Sequence, residues 1–318
     1  MSTPEIPNLD KSRLKTYSLS SRPSKVNLDG LAGRPSGKES IGEFLDRLPG
    51  FLAANDLKEL IEIIVTAHRG NRLVLLGMGA HAIKVGLTPV ILELVERKII
   101  GGIALNGAGI IHDFELAFAG HTSEEVADGI GAGDFGMAKE TGELLNRAIS
   151  AGSREGLGLG RAVGRMIWEE KLPHREFSLL GQCYRMNVPV TVHVALGTDI
   201  IHMHPKADGA AIGRTSLKDF DRFCGLVSRL DHGVYINLGS AVILPEVFLK
   251  AISLARNLGH PVAHLTTVNM DFIRHYRAYE NVVRRPTLGR GRGLQLIGHH
   301  EVMFPLLAAG ILARLEEN

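Results

Sequence analysis

The 318-residue chain holds two cysteines, nearly balanced charge and no long apolar run, and each scarcity excludes something. Cys183 and Cys224 lie in apolar stretches of helical pattern. They read as small core residues in a reducing compartment, not as a disulfide or a catalytic thiol. A bilayer helix needs about 20 consecutive apolar residues, and no run approaches that, so no membrane partner is expected. A formal net charge of +2 leaves no basic stripe for nucleic acid. The opening MSTPEIPNLDKSRLK lacks the apolar core of a secretory signal, which makes a cytoplasmic location the expectation. No internal repeat or low-complexity segment occurs. HExxH, CxxC and GxSxG are all missing.

What the chain does have is alternation. Leu73 to Leu76 is an apolar run of strand length, and a helix-period segment follows from about Ala80 to Arg97. A second apolar run, Ile103 to Leu105, ends in Asn106-Gly107-Ala108-Gly109. Strand, helix and strand in this order read as a βαβ unit with both sheet faces buried. Further strands are expected at Val188 to Val194, Val234 to Leu238, Val262 to Val268 and Leu294 to Ile297, with helices between them. The fold class is therefore α/β, a Rossmann-like, doubly wound parallel sheet in a single large domain. Residues 1–39 are polar and rich in Ser, Pro, Lys and Arg, and read as an extended arm before a domain spanning 40–318. Ser40 and Asp56 are candidate helix caps. GLGLGRAVG, inside residues 152–165, resembles a dinucleotide fingerprint as text, but no strand precedes it, so it reads as a surface connection.

Open parallel sheets bind ligands beyond the carboxyl ends of their strands. Those ends would carry Gly77 and Gly79, Asn106, Gly107 and Ala108, His112 and Asp113, Asp199 and His202, Gly239, Thr267, and His299. Glycine there admits close backbone approach, and a following helix N-terminus favours an anion. Fourteen histidines make imidazole the conspicuous titratable group, suited to moving protons near neutrality. His202, His204, His299 and His300 could alternatively hold zinc or iron, though no compact ligand spacing supports this. Arg284, Arg285, Arg290 and Arg292 flank a Pro/Gly loop and read as a solvated face or as an anion-binding cap.

Six segments in order make the chain resemble the deoxyhypusine synthase family from about residue 40 onward. They are GMGAHAIKVGLTPVILELVERKII, ALNGAGIIHDFE, NVPVTVHVALGTD, INLGSAV, HLTTVNMDF and GHHEVMFPLLAA. The resemblance implies a deoxyhypusine synthase-like, homotetrameric enzyme that holds NAD near subunit interfaces. Asn106, Gly107, Ala108, Thr267 and Asp199 match that family's cofactor cradle. The family's paired glutamates are replaced by Ile111 and His112, with Asp113 kept, and its aspartate before FPLL by His299. Its imine-forming lysine falls on Arg290, and the last lysine of this chain is Lys250. A guanidinium stays protonated and cannot form that imine. Aminobutylation of a protein lysine is therefore not expected. The reading is an NAD-dependent transferase or oxidoreductase on a small substrate bearing carboxylate or phosphate. His112, His299 and His202 would be acid/base groups, with Asp113 orienting one of them and Arg290 contacting substrate. A metal-dependent enzyme and a non-catalytic nucleotide-binding homologue are the alternatives. In the family a comparable arm can cover a neighbour's active-site entrance, a role open here to Arg22, Pro23 and Ser24.

Overall fold

The structure, a computed structural model, describes residues 6–317; the first five residues of the expected arm lie outside them. The expected strands pair into one sheet, all parallel. They are β1 (Val74–Met78), β2 (Gly102–Asn106), β3 (Val190–His193), β4 (Val234–Leu238), β5 (Thr266–Asp271) and β6 (Arg292–Ile297). Their order is β3-β2-β1-β4-β5-β6, the doubly wound arrangement in which strands are added outward on one side of β1 and then, from β4, on the other. The helices are α1 (Ile41–Arg47), α2 (Leu52–Arg69), α3 (His81–Lys84), α4 (Thr88–Glu96), α5 (Gly107–Ala119), α6 (Val126–Ile130), α7 (Lys139–Arg154), α8 (Leu159–Glu169), α9 (Leu179–Arg185), α10 (Gly209–Val227), α11 (Ile243–Asn257), α12 (Tyr276–Ala278) and α13 (His300–Glu316).

The period of two along each strand divides the core. Val74, Leu76 and Met78 face the larger cluster, with Leu60 of α2, Ile91 of α4 and Phe304 of α13. Leu75 and Tyr235 face the other side, against Phe223 of α10 and Phe248 of α11. Burial on both faces is why these strands read as unbroken apolar runs. Tyr235 stacks on Phe248 with ring centroids 3.9 Å apart. A Cβ on Gly77 would overlap the Tyr235 hydroxyl, so Gly77 serves core packing within β1.

Several local expectations shift. The single helix expected from Ala80 to Arg97 is two, α3 and α4, separated by Gly86 at φ +79°. Ser40 does cap α1 in a reciprocal box with Glu43, whereas α2 starts at Leu52, ahead of Asp56. GLGLGRAVG is not a surface connection: it enters α8, where Cβ atoms at Gly160 and Gly164 would overlap the carbonyls of Val190 and Leu180. These glycines let α8 lie against β3 and α9. The fifth strand runs from Thr266 to Asp271, starting four residues after the expected Val262 and ending three past the expected Val268. Its polar residues are hidden because they satisfy one another. Asn237 donates from Nδ2 to Asn269 Oδ1 at 2.6 Å, and Asn269 Nδ2 to Gln295 Oε1 at 3.2 Å, an amide ladder across β4, β5 and β6.

Residues 6–39 make three short 3-10 turns and leave Ile6, Leu9, Leu14, Tyr17, Leu19 and Leu28 exposed.

Candidate active site

The turn from β2 into α5 builds the centre of the site. Asn106 caps α5 by accepting from the Gly109 amide at 3.1 Å. A helix start leaves further donors without intrahelical partners, which suits an anion. A Cβ on Gly107 would overlap the Asp199 carboxylate, so glycine allows Asp199, beyond the end of β3, to lie over this helix start. Asp199 is 8% exposed and its Oδ2 has no partner. Burial pushes its carboxyl up, against opposing pulls from His202 and Thr198. His202 Nδ1 accepts from the amides of Gly197 and Asp199 at 3.1 and 3.3 Å. That places the proton of the neutral ring on Nε2. Nε2 sits 4.0 Å from Asp199 Oδ2, beyond hydrogen-bond reach, and is likewise unpartnered.

Beside Asp199 is a cavity of about 210 Å³, lined by Lys84, Ala108, His112, Glu115, Glu124 and Thr198 among others. His112 belongs to a three-member chain. Its Nδ1 lies 2.7 Å from Thr122 Oγ1, which donates to Glu115 Oε2 at 2.5 Å. Thr141 donates to the second Glu115 oxygen at 3.0 Å. Since the Thr122 proton is committed to Glu115, His112 Nδ1 must donate, leaving Nε2 as the basic nitrogen. Burial depresses the His112 pKa, Glu115 opposes this, and Lys84 lowers it further. The ring is therefore a neutral base at pH 7.

A second group lies across β1. His300 is buried with both ring nitrogens unpartnered, and Nε2 is 3.7 Å from Asp271 Oδ1. His275 Nε2 lies 3.8 Å from Asp271 Oδ2. The His81 ring is 5.5 Å from that of His300. Gly239, at φ +65°, lies where a Cβ would press on the His300 ring. Gly79 approaches the Gly239 carbonyl, so it closes the turn between β1 and β4. Helix α3 carries His81 toward this group and Lys84 toward the His112 cavity.

The expected residues thus divide. Asn106, Gly107, Ala108, His112, Asp199 and His202 come together; Gly79 and Gly239 meet at the neighbouring turn. Asp113 does not orient a histidine. It is fully buried and accepts from Ser178 Oγ and the Leu179 and Leu180 amides at 2.6, 2.6 and 3.1 Å, capping α9. One residue along a helix turns a side chain by about 100°, which separates Asp113 from His112. His299 is 74% exposed and stacks near Phe272, while its neighbour His300 is the buried ring. Thr267 lies inside β5, donating to the Val282 carbonyl at 2.6 Å. Arg290 precedes β6, and pairing of Thr266 with Arg292 puts that loop at the opposite, amino-terminal edge of the sheet. Arg284 and Arg292 there are paired with Glu280 and Glu59. His202 and His204 do not form a metal set. Among the described residues, the convergent group of three ligand-type side chains is Asp231, His232 and His264, at that same opposite edge. Lys84, Glu115 and Thr122 carry no sequence expectation, and His300 enters the sequence reading only as a possible metal ligand. Glu115 at i+3 from His112 was the available signal, because that spacing shares a helix face.

No protein-family model and no curated protein matches the chain. Solved structures do. A Methanococcus maripaludis S2 protein assigned to the LOR/SDH group is 17% identical, with a TM-score of 0.50 over 88% of this chain and 72% of that one. AgrE, solved as a ternary complex with ornithine and NAD+, is 10% identical with a TM-score of 0.57; the match spans 86% of this chain but 35% of AgrE. An Entamoeba histolytica protein assigned as a deoxyhypusine synthase is 12% identical with a TM-score of 0.51, over 87% and 94% of the two chains. Among the described residues no helix is long and apolar enough to cross a membrane. The six parallel strands and their helical layers are thus the deoxyhypusine synthase-like fold.

Proposed function

We propose that this chain is an enzyme that binds NAD at the carboxyl edge of its sheet and oxidises or transfers a group on a small polar substrate. The observation carrying this reading is the buried, unpartnered Asp199 carboxylate over the start of α5, beside the Glu115–Thr122–His112 chain. An orphaned buried carboxylate oxygen is costly without a donor, and a ribose hydroxyl is such a donor. The helix start offers amides to a phosphate. These residues therefore fit NAD, whose chemistry when bound is to accept hydride. AgrE, of similar fold, was solved with NAD+.

The chain's own residues then have distinct tasks. His112 Nε2 takes the proton that a hydroxyl or amine loses on oxidation. Glu115, acting through Thr122, keeps the His112 proton on Nδ1 and stabilises the imidazolium that forms. Lys84 presents a cation to a substrate carboxylate or phosphate, the part that sequence alone assigned to Arg290. Assembly as a homotetramer and an arm that docks on a neighbour belong to the same proposal; the exposed apolar residues of 6–39 suit a partner surface.

Calorimetric titration tests the reading. NAD should bind the full chain, and Asp199→Ala should weaken it by about tenfold or more, the scale of a lost charge-assisted hydrogen bond. His112→Ala should keep NAD affinity while abolishing reduction of NAD in a screen of small amines, amino acids and hydroxy acids. Equal affinity of wild type and Asp199→Ala would refute the cradle.

A further inference from the structure

The amino-terminal edge of the sheet, away from the proposed chemistry, carries a second cluster. Asp231 and His232 occupy the turn before β4, and His264 the turn before β5. The sheet holds the two turns side by side: Val234 pairs with Thr266, and the Thr266 amide donates to the Gly233 carbonyl at 3.0 Å. The His264 amide donates to Asp231 Oδ1 at 2.9 Å, fixing the carboxylate.

The separations matter most. His264 Nδ1 is 3.5 Å from Asp231 Oδ1, and His232 Nε2 is 3.8 Å from Asp231 Oδ2. Both exceed a good N–H···O bond of roughly 3.2 Å at most. The three groups converge without satisfying one another. Ligands held about 2.0 Å from a tetrahedral zinc ion lie about 3.3 Å apart, and one ligand atom from each of the three side chains lies within 4.8 Å of the others, so a small closing of the set would seat an ion. The two imidazoles stand nearly parallel, 10° apart with centroids 4.6 Å apart, and half-exposed rings can turn their nitrogens toward a common ion. His232 adopts φ +59°, a left-handed backbone conformation uncommon for a non-glycine residue, which sets the direction of its side chain at the turn. An adjoining cavity of about 530 Å³, lined by Glu59, Glu62 and Thr66, leaves solvent access for a fourth ligand.

We propose that Asp231, His232 and His264 bind one divalent first-row metal ion, zinc by preference, through two imidazole nitrogens and a carboxylate with a water completing the set. Bound there, the ion ties the β4 turn to the β5 turn and adds stability by binding only the folded chain. The site is separate from the Asp199 and His112 cavity, so it stands whether or not NAD binds.

The test uses the full chain, stripped by chelator. Cobalt(II) titration should give the visible bands of a tetrahedral ion at one equivalent, and zinc should displace it with a Kd of about 1 µM or tighter. His264→Gln and His232→Gln, checked for folding by circular dichroism, should each weaken zinc by about a hundredfold, while His260→Gln should not. The zinc-induced rise in melting temperature should vanish in the same two variants. Zinc affinity unchanged in both variants, or no binding to the wild type at about 100 µM zinc, would overturn the proposal.

Discussion

Asp219→Ala is expected to destabilise the chain by about 4 kcal/mol, within the range for breaking a buried charged network. Asp219 sits on α10, fully buried, and its Oδ2 accepts from the Gly160 and Val192 amides at 2.8 and 2.9 Å. One carboxylate therefore joins α10, the first turn of α8 and β3. Glycine at 158 is required because a Cβ would overlap the same carboxylate. Alanine would orphan two buried amides and leave a void. Equilibrium denaturation read by circular dichroism checks it. A loss under about 1 kcal/mol would mean that these amides find other partners. Asp219→Asn should fall between, since the amide keeps an acceptor but brings an NH₂ against donors.

Asp113→Ala should cost about 3 kcal/mol and leave NAD affinity within about twofold, because Asp113 holds α9 and not a histidine. Ser178, Leu179 and Leu180 would lose their common acceptor, freeing the helix that packs on α8. Burial pushes the Asp113 carboxyl up to about 6, against the three donors that pull it down. An unfolded aspartate titrates near 3.9, so between about pH 4 and pH 6 the folded chain holds a proton that the unfolded chain has lost. The stabilising contribution of this group is thus full below about pH 4 and is lost as pH rises through about 6. Denaturation midpoints of wild type and Asp113→Ala measured from pH 4 to 7 should converge as pH rises. A gap that widens with pH would mean a depressed carboxyl, and a large loss of NAD affinity would return Asp113 to the active site.

Legibility in the sequence followed from how far each signal reaches. The strand from Val234 to Leu238 has the expected ends, and the carboxyl ends of β1 and β2 fall within two residues of expectation. Apolar runs bounded by glycine carry that information in a few residues. The fifth strand was displaced because Asn269 looks solvent-seeking alone, and only partners on β4 and β6 make it a core residue. The GLGLGRAVG segment misled for the opposite reason. Its glycines are there for close contact with β3 and α9, elements distant in sequence.

The site shows the same division. His112 and Asp199 were legible as polar residues following strand ends. That His112 bonds to Thr122, that Lys84 shares its cavity, and that His300 and not His299 is buried were not legible. Asp113 and Arg290 were assigned roles that their positions contradict: one caps α9, and the other lies at the far edge of the sheet. The sequence by itself determined the alternation of strand and helix, and hence a parallel sheet, because periodicity and glycine punctuation act over short range. The tertiary structure decided which imidazole meets which carboxylate and which arginines stand apart. Those contacts join segments as far apart as Arg292 and Glu59, 233 residues from one another, and strand order and loop path set them.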